Sequence, residues 1–152
     1  MQQIKPEIIQ ILVADDEKPA RLGMRRALEA AGYRVTEACN GAEAVERVKG
    51  GGVDLVFMDI AMPETDGLAA LEVIRGLPSP PPVVMVTAHG SEKVAVNAIK
   101  AGAWDYLAKP YDVDELRQLA RNAAERLLLE RENVRLRREL AQAGAFGEIL
   151  GK

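Results

Sequence analysis

The feature that most constrains this chain is a rhythm. Five short apolar runs, at residues 8–14, 34–38, 53–58, 83–87 and 106–108, recur at intervals of roughly 20 to 25 residues along the sequence. The first, third and fourth are almost continuously apolar, which suits parallel strands covered on both faces. Between them lie segments with helical periodicity. Leu22, Leu28 and Ala31 mark a first helix, stopped at Gly32. Asn40 caps a second, which carries Ala44, Val45 and Val48 and ends at Gly50-Gly51-Gly52. Asp66 caps a third, with Leu68, Leu71 and Ile74 inward before Gly76 and Pro80-Pro81-Pro82. Ser91 opens a fourth, with Val94, Ala95, Ala98 and Ile99 on one face and Gly102 at its end. The caps accept orphan N–H groups, and glycine tolerates the backbone of a helix stop. Regular alternation of strand and helix implies right-handed crossovers and a three-layer α/β domain built on a parallel sheet.

Composition narrows the class further. Apolar residues make up 48% of the chain, enough to bury a sizeable core, and the net charge of -3 provides no global positive field for nucleic acid. The lone cysteine, Cys39, excludes an internal disulfide or a cysteine-based metal site. It reads as a small packing residue, and a single thiol fits a reducing cytoplasm. The longest apolar run is too short to span a bilayer, and the polar start is no signal peptide. The expectation is a cytoplasmic domain with no membrane partner.

In open parallel sheets chemistry gathers at the carboxyl ends of the strands. The first run ends in Asp15-Asp16-Glu17, the third in Asp59, the fourth in Thr87 and the fifth in Lys109-Pro110. Any one of these alone reads as loop solvation or helix capping. Together they bring acid, acid, hydroxyl and amine to one edge of the sheet. Two carboxylates about 4 Å apart repel by roughly 4 kcal/mol at an effective dielectric of about 20, so three converging carboxylates call for a cation. An all-oxygen set without His or Cys suits a hard ion, and a shallow site that keeps waters suits Mg²⁺. Such a site aligns a phosphoryl group for in-line attack by an Asp59 oxygen, giving an acyl phosphate. Thr87 can donate a hydrogen bond to a phosphoryl oxygen, and Lys109 supplies a point charge.

Asp15-Asp16, the stretch from Asp59 through Met62-Pro63 to Asp66-Gly67, Thr87-Ala88 and Lys109-Pro110 resemble the receiver domain of two-component response regulators, over about residues 7–124. The resemblance implies a flavodoxin-like doubly wound sheet of order 2-1-3-4-5, with Asp59 as phosphoacceptor and a sensor histidine kinase as partner. It implies Mg²⁺ held by Asp15, Asp16, Asp59 and the backbone carbonyl of Ala61, with Thr87 and Lys109 sensing the phosphoryl group. It also implies a cis Lys109-Pro110 bond. Tyr106 takes the place of the aromatic that swings inward as the hydroxyl moves, although a lone tyrosine there also reads as a half-buried strand residue. A chain of this kind accepts a phosphoryl group and is not a turnover enzyme. His89, the only histidine, reads as a solvent-exposed loop residue, and Trp104 as packing near the start of the fifth strand.

Asp112 and Glu115 have the spacing of a capping box. No Gly or Pro follows until Gly144, so a helix over 113–143 would run roughly 45 Å, longer than the sheet needs. Its distal part, 125–143, fits one heptad register with Leu129, Leu136 and Ala143 at d and Arg126, Asn133 and Leu140 at a. Asn133 would fix the register of a parallel homodimer, and Glu132 would face Arg137 of the second copy, whereas Glu125 would face Glu130 and repel. The alternatives are a single charge-laced helix or one packed on a further domain. Residues 144–152, with Phe146-Gly147-Glu148-Ile149-Leu150-Gly151-Lys152, resemble the opening of the AAA+ output domain of sigma-54-dependent (NtrC-like) transcriptional activators. No Walker A or DNA-binding motif occurs. The chain therefore reads as the regulatory part of a longer transcription regulator.

Two other functions compete. A phosphatase that turns over an aspartyl phosphate usually carries a second Asp two residues after the nucleophile, where this chain has Ala61. A constitutive dimerisation module with an idle acidic site is the other.

Overall fold

The computed structural model describes residues 8–62, 66–88 and 92–149, the last six of them (144–149) by backbone alone. Strands β1 (Gln10–Ala14), β2 (Arg34–Ala38), β3 (Leu55–Asp59), β4 (Val83–Thr87) and β5 (Asp105–Ala108) alternate with helices α1 (Lys18–Ala30), α2 (Gly41–Lys49), α3 (Gly67–Arg75), α4 (Glu92–Lys100) and α5 (Val113–Ile149). All strand pairs are parallel. The order is β2-β1-β3-β4-β5, so the direction of winding reverses between β1 and β3. This is the flavodoxin-like doubly wound fold, with an extended C-terminal helix.

Side-chain alternation along the strands divides the core in two. Ile11 and Val13, Leu55 and Phe57, Val84 and Val86, and Leu107 pack with Met24 and Leu28 of α1 and Leu116, Ala120 and Ala123 of α5. Leu12 and Ala14, Val56 and Met58, and Val83 and Met85 pack with Val45 of α2, Leu71 and Ile74 of α3 and Ala98 of α4. Burial on both faces is what the continuous apolar runs require.

The caps follow from local chemistry. Asn40 accepts from the Glu43 N–H at 2.8 Å, while Glu43 reaches back to the Cys39 N–H at 2.7 Å, a reciprocal cap on α2. Asp66 accepts from the Ala69 N–H at 2.8 Å on α3. Asp112 N–H donates to Glu115 Oε1 at 3.0 Å at the start of α5. Gly32 and Gly102, after α1 and α4, have φ of +103° and +108°, the left-handed backbone expected of stops.

Several expectations need correction. On α1 the buried residues are Met24, Ala27 and Leu28, and Ala31 is exposed because it already lies at the helix end. Ile99 on α4 is exposed; Ala95 and Ala98 are the residues that α4 buries. Cys39 is exposed, because it lies past the end of β2 in the short turn that leads into α2 rather than on the strand. The last helix does not stop at Gly144 but continues to Ile149; a single glycine costs a helix only about 1 kcal/mol. Ser91 and His89 lie outside the described residues, as do Pro63 and residues 150–152, while the side chain of Phe146 is not described.

Candidate functional site

The strand termini place the polar residues. Asp15 directly follows β1, Asp59 and Thr87 are the last residues of β3 and β4, and Lys109 directly follows β5. The parity of the pleat adds a finer assignment. Asp15, Asp59 and Lys109 continue the Ile11–Val13, Leu55–Phe57 and Leu107 rows and fall on the α1/α5 side. Thr87 continues the Val83–Met85 row and falls on the other side, as do Tyr106 and Ala108 by the same count.

Three carboxylates converge there. Asp15, Asp16 and Asp59 each offer an oxygen such that all three lie within 4.8 Å of one another. Asp15 is 3% exposed and Asp59 is 9% exposed, whereas Asp16 faces solvent. Lys109 Nζ sits 3.0 Å from Asp15 Oδ2 and 3.3 Å from Asp59 Oδ2, so its ammonium bridges the two buried acids. Asp59 Oδ1 accepts from the Ala61 N–H at 3.2 Å, and Asp15 Oδ1 accepts from the Glu17 N–H at 2.9 Å. Thr87 is buried, and its carbonyl accepts from the Lys109 N–H at 2.7 Å. The Lys109-Pro110 bond is cis.

Burial and neighbouring charge set the electrostatics of the edge. Burial raises the Asp59 carboxyl above the usual range; Lys109 opposes the shift, and Asp15 adds to it. Burial alone would lower the Lys109 ammonium, but its hydrogen bond to Asp15 and the charges of Asp59 and Asp15 raise it on balance. Lys109 thus offsets only part of the shift that burial imposes on Asp59. The donor set fits a divalent ion: three carboxylates with oxygens in reach of one another, and a cation already lying between two of them.

Of the remaining expected residues, Ala61 is exposed just past β3, with its N–H turned to Asp59. Tyr106 is 43% exposed on β5, beside Thr87's strand but turned outward. Leu129, Asn133, Leu136 and Leu140 are all exposed and lie far along α5, so the structure does not bring them to the site. Glu132 pairs with Arg135 of its own helix at 2.5 Å.

Gly67 is a residue whose role the motif alone does not reveal. A Cβ there would collide with the Asp59 carbonyl oxygen and come within 2.8 Å of the Ile60 Cα. Its N–H donates to the Ile60 carbonyl at 2.9 Å, closing α3 against the end of β3. An open groove of about 600 Å³ also runs beside the carboxylates, between α1 and the start of α5, lined by Gly23, Met24, Pro110, Tyr111 and Val113 among others.

A doubly wound sheet with a carboxylate cluster, a hydroxyl and a lysine at its strand ends is the arrangement expected of a receiver-type domain. The comparisons with known proteins agree and make it specific: the chain belongs to the response regulator receiver domain family, which it matches over residues 11–121. It is 37% identical over 142 residues to the C4-dicarboxylate transport transcriptional regulatory protein DctD of Rhizobium meliloti, covering 93% of this chain and 31% of DctD. It is 40% identical over 107 residues to the chemotaxis protein CheY of Bacillus subtilis, covering 70% of this chain and 89% of CheY. Among solved structures, NtrX from Brucella abortus superimposes with a TM-score of 0.79 at 35% identity, covering 86% of this chain and 30% of NtrX. The chain thus spans about a third of the length of DctD and NtrX. Among the described residues no helix is long and apolar enough to cross a membrane.

Proposed function

We propose that the chain is a phosphorylation-operated switch in which Asp59 accepts a phosphoryl group from the phosphohistidine of a sensor kinase. The observation that carries this reading is the bridge from Lys109 to Asp15 and Asp59 inside a carboxylate cluster at the sheet's switch point. An Asp59 oxygen attacks phosphorus in line, the P–N bond breaks, and the imidazole departs with the electron pair. Asp15, Asp16, Asp59 and the Ala61 carbonyl would hold Mg²⁺, which when bound neutralises charge on the phosphoryl oxygens. Lys109 then exchanges carboxylate partners for a phosphoryl oxygen, and Thr87 donates its hydroxyl from the opposite side of the sheet. Tyr106, on Thr87's side, follows the hydroxyl inward, which alters the face formed by α4, β5 and α5. The two packings are populations that the phosphoryl group biases.

The output runs through residues 125–143 as a linker, beyond the receiver at 7–124. The exposed stripe of Leu129, Leu136 and Leu140, with Asn133 among them, supports a parallel homodimer. Similarity to DctD and NtrX supports a cytoplasmic, sigma-54-dependent activator, with 144–152 leading into an AAA+ output domain that the switch controls. In this reading the chain is not a turnover enzyme, and it binds neither membrane nor nucleic acid itself.

Intact-mass analysis after incubation with a small phosphodonor and Mg²⁺ tests the reading. One phosphoryl adduct is expected, absent in Asp59→Asn. A chain that takes up no phosphoryl group while still dimerising would be a constitutive dimerisation module with an idle acidic edge.

A further inference from the structure

The carboxylate cluster rests on a layer of charge that the phosphoryl chemistry does not use. Arg21, in the first turns of α1, is 14% exposed at its side chain and faces β2. Its Nη1 donates to the main-chain oxygen of Asp15 at 2.9 Å, and its Nε donates to Glu37 Oε1 at 2.6 Å. The other oxygen of Glu37 accepts from Arg25 Nη1 at 2.5 Å. Glu37 sits on β2 opposite Val13 of β1, so the carboxylate that orients Arg21 is itself fixed by the sheet.

We propose that Arg21 is a positioning residue for divalent-cation binding, holding the Asp15–Asp16 peptide in the orientation the cluster requires. The Asp15 main chain is gripped on both sides: its N–H donates to the Ala38 carbonyl at 3.1 Å and its carbonyl accepts from Arg21. Its carboxylate is steadied by the Glu17 N–H. Asp16 is solvent-exposed, so the direction in which its side chain leaves is set by the peptide plane that Arg21 holds. Outer partners that orient ligands in this way change metal affinity about 10- to 100-fold when removed.

The electrostatic sign makes the role separable from its alternatives. A bare positive charge near three carboxylates weakens cation binding, so its removal would tighten binding. A positioning donor does the reverse. A simple staple between α1 and β2 would alter stability and leave affinity alone.

The inference rests on the reading that the carboxylates bind a divalent ion. An amide NMR titration of the isotope-labelled chain with Mg²⁺ tests both. The wild type is expected to show saturable shifts around Asp15 and Asp59; if it shows none, the metal reading itself fails. Given saturation, Arg21→Lys, which keeps the charge but cannot span both acceptors, is expected to raise Kd about 10-fold. Glu37→Gln, which leaves Arg21 in place with a weaker anchor, is expected to raise it less, and serves if the lysine variant does not fold. Arg25→Ala, whose partners are Glu37 and Glu29 rather than Asp15, is expected to raise Kd least. Unchanged Kd in both Arg21→Lys and Glu37→Gln overturns the inference while sparing the metal reading, and so does tighter binding in Arg21→Ala.

Discussion

The carboxylate edge of the sheet and the outer face of distal α5 depart from good folding practice in opposite directions. The edge buries charge: Asp15 and Asp59 are both enclosed, and burial shifts Asp59 toward its neutral form. The helix exposes apolar surface: Leu129 and Leu140 are each 70% accessible. Elsewhere the protein is conventional, with two continuous cores and, among the described residues, no buried side-chain polar atom lacking a partner. Local deficits of this kind are what a ligand relieves. A cation would relieve the first and a second apolar helix the second, so the two regions differ in what completes them rather than in how well they are made.

The largest expected effect comes from adding a divalent cation. At about 100 times its dissociation constant, Mg²⁺ should stabilise the fold by about 2.7 kcal/mol. That corresponds to a rise in Tm of about 5–10 °C for a domain of this size, measured by calorimetry. The rise should shrink sharply in Asp59→Asn. Equal rises in both proteins would mean that the ion binds elsewhere.

Next comes a test of rigidity. Gly67→Ala should cost about 1–3 kcal/mol in denaturant unfolding, because its methyl must displace backbone at the end of β3. On the helix, by contrast, Leu140→Ser removes a far larger group, yet in the monomer it should alter stability by about 0.5 kcal/mol or less. If the two costs were similar, the contrast between a tight edge and a loose helix would be wrong.

The pH dependence sharpens the electrostatic half. Asp59 holds its proton more tightly folded than unfolded, so ionising it costs stability. That cost is absent below the ordinary carboxylate range and complete once pH exceeds the raised value. In chelator-containing buffer, Asp59→Asn should therefore gain on the wild type as pH rises through that window. Glu37 behaves oppositely: its hydrogen bonds from Arg25 and Arg21 lower its carboxyl, so its contribution is present above the ordinary range and fades as pH falls through the lowered value. Both slopes can be read from Tm against pH, the first as a difference between the two proteins.

The smallest expected effect on stability accompanies a clear effect on assembly. In the proposed dimer, replacing Leu129, Leu136 and Leu140 together with serine should barely move the unfolding of the receiver while abolishing self-association in sedimentation velocity. Persistence of the dimer in this variant would place the contact on another face.

Much of this was legible from residues. Continuous apolar runs required strands covered on both sides, and the polar residues ending those runs come together at one edge of the sheet. What stayed hidden has identifiable physical causes. The Arg21–Glu37 link joins residues sixteen positions apart, and it exists only because β2 lies beside β1. Cys39 looks like a core residue by type, yet it falls one position past an edge strand. Gly144 looks like a stop, but a glycine ends a helix only when nothing favours continuing, and its cost is modest. Ile99 kept its periodicity and lost its cover, because α4 turns the small residues Ala95 and Ala98 toward the sheet.

The bond between Arg131 and Asp54 gives α5 a rotational setting. Asp54 lies just before β3, at the end of the sheet away from the carboxylates, and it also accepts from the Gln10 N–H at 2.8 Å. An α-helix turns about 100° per residue, so with Arg131 held there, Leu129, Leu136 and Leu140 point about 140–180° away. The helix is then a keyed shaft, with the key on the face opposite the leucine stripe. One residue inserted after Ala124 would turn everything beyond it by about 100° and carry Arg131 off Asp54. Seven residues would turn it by only about 20°. In a pair of such shafts, the angle between the two carboxylate edges is counted in residues of linker.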